Sequence, residues 1–300
     1  MKAMVLAAGL GTRLRPLTLN TPKALMPVGN VPIIDRIIEY LKAYEISELV
    51  VNAHHHYEQV VEHLDGGRPF GIDIDVRVEP NILGTGGGIK NTEDFWDNAP
   101  FIVINGDILT NINLRTACEA HERSGGLATL ILHDQPPFNQ IEIDDQKNIT
   151  HIAGENLVNR LAFTGIHIID PKLMSNIPGG IFSNIIHCYR ELIREGKPPK
   201  AYISAGHKWR DIGTIESYVL ANKDALQGES FLCSPECRIN SAAVLKDWAV
   251  IGNETVLEHG VEVRRSIIWE NVKVKKGVRV IDSIVTASKY VEHDLINEIF

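Results

Sequence analysis

Apolar residues recur along the first two-thirds of the chain in two alternating rhythms. Lys2–Ala8 is a short apolar run and predicts a buried strand. Val31–Tyr44 carries Ile33, Ile34, Ile37, Ile38 and Leu41, the spacing of one helix face. Glu48–Ala53 predicts a strand and Tyr57–Leu64 a helix. Ile72–Glu79 alternates Ile and Val with Asp and Arg, as a strand with one wet face does. A helix at Gly86–Trp96, a strand at Phe101–Asn105, a helix at Asn113–Arg123 and a strand at Leu127–His133 follow. Further strands are expected at Gln140–Asp144, Asn148–Ala153, Ala162–Ile169 and Ala201–Ser204, and helices at Ser183–Glu195 and Ile215–Leu226. Such alternation predicts a Rossmann-like α/β domain with a mixed, mainly parallel sheet covered on both faces.

The rhythm changes after about Gly228. Ile239, Leu245, Ile251, Leu257 and Val263 stand six apart, and four residues after each comes Ala243, Ala249, Thr255, Val261 or Ile267. The beat slips by one residue and resumes at Ile268, Val274 and Val280, with Val272, Val278 and Ile284 behind them. A six-residue beat predicts a short left-handed parallel β-helix, each strand forming one side of a triangular coil. A series of β-hairpins is the alternative. Two domains are expected, an α/β one over residues 1–228 and a hexapeptide-repeat one over 229–300.

The length of 300 residues, about twice that of a usual single domain, agrees with that division. With 44% hydrophobic and 23% charged residues the chain has ample material for a core, which excludes a largely disordered protein. A net charge of -8 argues against binding of nucleic acid by phosphate neutralisation. It leaves room for a local cationic site that takes small anions. Cys118, Cys188, Cys233 and Cys237 include one close pair and no second pair to complete a zinc site, so buried free thiols are expected. The apolar runs fall well short of the ~20 residues that cross a bilayer. The start lacks a signal-peptide pattern, and a soluble cytoplasmic protein without membrane contact is expected.

The stretch Leu6-Ala7-Ala8-Gly9-Leu10-Gly11-Thr12-Arg13-Leu14-Arg15-Pro16, followed by Lys23, carries the chemistry. Glycines after a strand let backbone N–H groups approach a phosphate. The dinucleotide fingerprint would place a third glycine at Leu14, and the Walker pattern is absent. Two cations, Arg13 and Lys23, flank one glycine loop, as a triphosphate requires.

On these residues the chain resembles the sugar-1-phosphate nucleotidyltransferases, among them the mannose-1-phosphate guanylyltransferases and, through Gly86-Gly87-Gly88-Ile89, the N-acetylmuramate-1-phosphate uridylyltransferases. The resemblance covers about residues 1–228, and the hexapeptide tail resembles the β-helix of many members. It implies an NTP, GTP or UTP, and a sugar 1-phosphate as substrates. It implies that Ala8, Gly9, Gly11 and Thr12 wrap the phosphates, that Arg13 binds the leaving pyrophosphate and that Lys23 sits by the α-phosphate. Gly106 joins the nucleotide site in the same way. Asp107, in Val103-Ile104-Asn105-Gly106-Asp107, and Asp211, in Trp209-Arg210-Asp211, match the family's metal-binding aspartates and imply Mg2+.

Family members read the base near a segment that here is Glu79-Pro80-Asn81-Ile82-Leu83-Gly84-Thr85. A carboxylate only accepts hydrogen bonds, and guanine offers two adjacent donors, so Glu79 tilts the expectation towards GTP over UTP. Asn105, Glu155 and Gly165 are the sugar-side candidates. The upstream lysine of many members is missing, since Asn156 follows Glu155. His54-His55-His56 is expected to be structural or pocket lining, because consecutive side chains on an extended segment point to opposite faces. Trp248 and Trp269, expected on the outside of the tail, suggest a homo-oligomer. A non-catalytic relative that binds nucleotide sugars, and an acyltransferase using His259, are the competing readings.

Overall fold

The computed structural model describes residues 1–136, 138–153 and 160–300. Two compact units emerge. One comprises Met1–Leu10 and Ile34–Asp211, the other Gly11–Ile33 and Ile212–Phe300.

The first unit is built on a nine-stranded mixed sheet. Seven strands run in the order Ile149–Ile152, Asn139–Ile143, Leu161–Ile169, Phe101–Asn105, Lys2–Leu6, Glu48–Ala53, Asp73–Val78. Ala128–His133 pairs with Leu161–Ile169 and with Lys200–Ile203. The four strands from Phe101–Asn105 to Asp73–Val78 are mutually parallel, with Ala3 opposite Leu49 and Ile102. Their residues are apolar without alternation (Leu49, Val50 and Val51 are buried), as expected of a sheet covered on both faces. Because these strands are parallel, Ala7, Ala53, Glu79 and Gly106 all leave the sheet at one edge. That edge is the usual ligand side of an open α/β sheet.

The antiparallel strand Leu161–Ile169 completes this edge. Its pairing with Ala128–His133 shifts register between Phe163 and His167, where Gly165 takes φ 76°. Only glycine adopts that backbone readily.

In the second unit, Phe231–Cys233, Val244–Ile251, Glu262–Ile268, Arg279–Ile281 and Leu295–Ile296 form one parallel ladder. Arg238–Ile239, Val256–Leu257, Lys273–Val274 and Tyr290–Val291 form another. Paired residues lie 17 or 18 apart in the chain, as in Arg265 bonded to Asp282 and to Asp247, except that Val280 pairs with Leu295 and Ile281 with Ile296, 15 apart. The six-residue beat marks the inside of this stack: Ile251, Leu257, Val263, Ile268, Val274 and Val280 share one core. Ile239 is the exception and is exposed. Thr255, a polar residue on the beat, is satisfied because its hydroxyl donates to the Trp269 carbonyl at 2.8 Å.

The helix Ile215–Ala225, which opens on a Thr214–Ser217 capping box, joins this stack to the segment Gly11–Ile33. Tyr218 donates to the Pro27 carbonyl at 2.6 Å, and Asn222 Oδ1 accepts from Gly29 N–H at 2.9 Å. Asn30 Nδ2 donates to Ile251 O at 2.8 Å. Trp269 Nε1 donates to Tyr218 at 2.9 Å.

The compact unit containing the two parallel ladders begins at Ile212 and includes residues 11–33, with the bonds of Tyr218, Asn222 and Asn30 inside it. Several expectations are corrected. Trp269 is buried rather than exposed, and Lys223 lies over the Trp248 ring at 5.8 Å. The first helix spans only Ile33–Lys42, since Val31–Pro32 pairs with Pro27–Val28 as a small hairpin. The Gly86–Trp96 helix is Gly84–Lys90 followed by a separate 3-10 turn at Glu93–Phe95. All four cysteines are free, yet Cys188 alone is fully buried. Burial pushes its thiol up to about 11.

One buried pair gives the fold a pH dependence. His167 Nδ1 is bonded to the Tyr189 hydroxyl inside the core. Burial alone pushes the imidazole from its ordinary 6.5 down to about 3, so it is neutral in the folded protein. The unfolded chain binds a proton below 6.5 that the folded one does not. Stability present above 6.5 is therefore lost as the pH falls towards 3. Urea unfolding of the wild type and of His167→Gln between pH 7 and pH 4 checks this. The variant should show the shallower loss, and equal slopes would contradict the assignment.

Candidate active site

The site is built on the strand ends of the first unit. Gly106 N–H donates to the Leu6 carbonyl at 2.8 Å. A Cβ at Gly106 would lie 2.8 Å from that same oxygen and 3.3 Å from Ala7 Cα. The chain leaving Phe101–Asn105 is thus pressed against the chain leaving Lys2–Leu6. Asp107 emerges beside the start of the glycine turn.

Asp107 precedes the short strand Ile108–Thr110, which pairs antiparallel with Trp209–Asp211. Asp211 is directly opposite Ile108, the residue that follows Asp107, so the two aspartates lie one residue apart in register at the end of this short pair. Both are half-buried. Trp209 Nε1 donates to the Thr164 carbonyl at 2.8 Å, which ties this pair to the bulged strand. At the bulge, a Cβ on Gly165 would lie 2.6 Å from Asn105 Nδ2, so Asn105 rests on the bare glycine backbone. Ala8, Gly9, Asn105, Gly106, Asp107, Gly165 and Asp211 are thereby gathered at one end of one sheet. Among the described residues no three His, Cys, Asp or Glu side chains cluster as a metal cage. Two carboxylates without a third protein ligand suit a hard cation that keeps waters and substrate oxygens in its shell, as Mg2+ does.

A second set of bonds organises the segment after Asp73–Val78. Ala7 N–H donates to Asn52 Oδ1 at 2.7 Å, and Asn52 Nδ2 donates to Glu79 Oε1 at 2.7 Å. Leu83 N–H donates to Glu79 Oε2 at 2.9 Å. His54 Nδ1 lies 2.7 Å from the Glu79 carbonyl oxygen. Glu79 is 1% exposed. Both oxygens of Glu79, expected at the base, accept bonds from the fold. Thr85 turns the same way, accepting from Ile185 N–H at 3.1 Å through its hydroxyl. Gly84 has φ 71°, and its neighbours Gly86 and Gly87 donate N–H bonds to the Ser183 carbonyl at 2.8 and 3.2 Å. His54 is structural, as expected, and the rings of His55 and His56 face each other with centroids 3.9 Å apart. Asn52 escaped sequence reasoning. Its signal was a polar residue ending the apolar run Leu49-Val50-Val51.

In the second unit, Gly11 takes φ 62° and caps the 3-10 turn Thr12–Leu14. Thr18 Oγ1 donates to Gly11 O at 2.9 Å, and Leu14 and Leu17 are buried beneath the turn. Arg13 and Arg15 are exposed, and Lys23 opens the 3-10 turn Lys23–Leu25. Glu155 lies outside the described residues.

An open α/β sheet with a glycine turn, two neighbouring aspartates and a bulged strand at its parallel strand ends has the architecture of a nucleotide-handling enzyme. The family model described as Nucleotidyl transferase matches residues 2–228, and the chain belongs to that family. It is 27% identical to the UTP–glucose-1-phosphate uridylyltransferase of Synechocystis sp., over 95% of this chain and 87% of that protein. It is 25% identical to the mannose-1-phosphate guanylyltransferase of Mycobacterium tuberculosis, over 92% of this chain and 81% of that one. It is 33% identical to the N-acetylmuramate alpha-1-phosphate uridylyltransferase of Neisseria meningitidis serogroup B, over 72% of this chain and 94% of that one. A crystal structure described as a glucose-1-phosphate thymidylyltransferase from Bacillus anthracis superposes with a TM-score of 0.66 at 28% identity. It covers 75% of this chain and 95% of its own.

The two glycines of the edge are glycines for different reasons. A methyl at Gly106 meets Leu6 O, whereas a methyl at Gly9 meets nothing within 4 Å. Gly106→Ala should lower the unfolding free energy by about 1–3 kcal/mol, the usual cost of overpacking. Gly9→Ala should leave it unchanged. Urea denaturation of both variants checks the contrast, and equal stabilities would contradict it.

Proposed function

We propose that the protein transfers a nucleoside monophosphate from an NTP to a sugar 1-phosphate, forming an NDP-sugar and releasing pyrophosphate. The observation that carries this reading is the placement of Asp107, beside the glycine turn, next to the strand pair in which Asp211 faces Ile108. Uridylyl- and guanylyltransferases of sugar 1-phosphates among the relatives, matched along most of their length, support it.

The chemistry needs little covalent help from the protein. A phosphate oxygen of the sugar 1-phosphate attacks the α-phosphorus, and the bond from that phosphorus to the bridging oxygen of pyrophosphate breaks. The nucleophile is already an anion, so no general base is required. Rate comes from alignment and from offsetting negative charge. Ala8, Gly9, Gly11 and Thr12 present backbone and hydroxyl donors to the phosphates. Arg13 offsets charge on the leaving pyrophosphate, and Lys23 does so at the α-phosphate. Gly84 and Gly106 are placed on the nucleoside side, and Asn105 with Gly165 on the sugar side. Asp107 and Asp211 would hold Mg2+, whose charge, when bound, offsets that of the phosphates.

Glu79, on which the preference for guanine rests, accepts bonds from the fold through both oxygens, and GTP and UTP are both retained as donors. The stacked C-terminal strands form a left-handed β-helix in this reading. Exposed apolar side chains on it, Phe231, Val244, Tyr290 and Ile296, support a homo-oligomer. No helix among the described residues is long and apolar enough to cross a membrane, and consumption of NTPs points to the cytoplasm.

Pyrophosphate release from each NTP paired with each of a panel of sugar 1-phosphates tests the reading. One NTP should dominate. Asp107→Asn and Lys23→Ala should each lower turnover at least about 100-fold, the cost of removing one charge-stabilising group, with unchanged circular dichroism. Wild-type rates in either variant would refute the assignment.

A further inference from the structure

The run Ala7–Asn52–Glu79–Leu83 has a strict hydrogen-bond polarity. Both of its ends are backbone N–H donors, Ala7 on the glycine turn and Leu83 beside Gly84. Two donors at the ends demand that the side chains between them supply one further donor, facing inward. Asn52 supplies it through Nδ2, and Glu79 accepts on both oxygens. An Asn–Gln pair would set an amide N–H2 against a backbone N–H. An Asp–Glu pair would set two carboxylate oxygens against each other. Among side chains of these shapes only Asn with Glu, or Asp with Gln, satisfies the run.

Space is also reserved for it. A Cβ at Gly88 would lie 2.7 Å from Asn52 Nδ2 and 2.9 Å from Glu79 Oε1. Gly88 has no left-handed φ, so its bare backbone serves close approach and not a turn. Asn52 and Glu79 are both buried, where an unmatched polar group is costly.

We propose that Asn52 and Glu79 are positioning residues for nucleotidyl transfer: their relay couples the glycine turn at Ala7 to the Leu83–Gly84 segment and so sets how the NTP is held. The proposal rests on the reading of the site as a nucleotidyltransferase. It adds that two side chains out of reach of the reacting atoms govern NTP use through the spacing of two backbone segments. Both segments end on backbone N–H groups, so slack in the relay is felt at the phosphate turn and at the nucleoside segment together.

Four proteins test it: the wild type, Asn52→Asp, Glu79→Gln and the double variant carrying both changes. Pyrophosphate-release kinetics give kcat and KM for each substrate, and urea unfolding gives stability. Each single variant should raise KM for the NTP and lower kcat, together at least about 10-fold in kcat/KM, as a small misplacement of binding groups does. KM for the sugar 1-phosphate should stay unchanged. The double variant inverts the polarity of the central bond and should return to within about threefold of the wild type, the pairwise rescue expected of directly coupled groups. A folded double variant no better than the worse single one overturns the relay. So do single variants that lose stability but keep wild-type kinetics per folded molecule. A wild-type protein that releases no pyrophosphate from any pair overturns the functional reading instead. In that case the unfolding midpoints still judge the relay, which predicts loss in each single variant and recovery in the double.

Discussion

The contact between the Gly106 amide and the Leu6 carbonyl is the one on which the site depends. It locks two parallel strands together just beyond their last paired residues, Leu6 and Asn105. A residue with a side chain at 106 would hold the two chain segments apart. With glycine there, Asp107 emerges beside the turn that begins at Ala7. The short strand that follows sets Asp107 one residue from Asp211 in register. Trp209, two residues before Asp211, fastens that strand to the bulge at Gly165. Gly165 in turn carries Asn105. The candidate site of the first unit is thus a closed circuit of contacts, each made possible by a bare glycine or a backbone carbonyl.

Much of this was legible in the sequence because the signals were strong. Apolar runs such as Leu49-Val50-Val51 gave the buried parallel strands, and the six-residue beat gave the inner positions of the stacked coils. The glycine turn and both aspartates stand out by motif as candidates. What escaped depends on long-range pairing. Ile108–Thr110 and Trp209–Asp211 are three residues each, too short for any periodicity, and exist because they pair with one another. Val31–Pro32 looked helical because Ile33 begins a strongly amphipathic helix, yet the hairpin with Pro27–Val28 claims it. Trp269 looked exposed because nothing local says that Tyr218, 51 residues away, will bond its indole.

At Glu79 the residue's chemistry is legible in the sequence while its partners within the fold are not. A carboxylate there does accept two hydrogen bonds, as the guanine argument required. The donors are Asn52 and Leu83 of the same chain. The net charge of -8 has a similar lesson. It discouraged nucleic acid, yet Arg13, Arg15 and Lys23 stand within 11 residues of sequence, and Asp107 and Asp211 spend two of the acidic charges as candidate metal ligands. The loop with those cations belongs to the same compact unit as the stacked coils, through the bonds of Tyr218, Asn222 and Asn30. Within that unit the tail therefore has a share in shaping the loop that is proposed to take the phosphates.

The central claim is that Asp107 and Asp211 act on one divalent cation. Titration of Mn2+ into the protein with a non-hydrolysable NTP, followed by electron paramagnetic resonance of the free ion, measures this directly. The account predicts one site that Asp107→Asn and Asp211→Asn each weaken to a similar degree. Mn2+ binding that either variant leaves unchanged would contradict it.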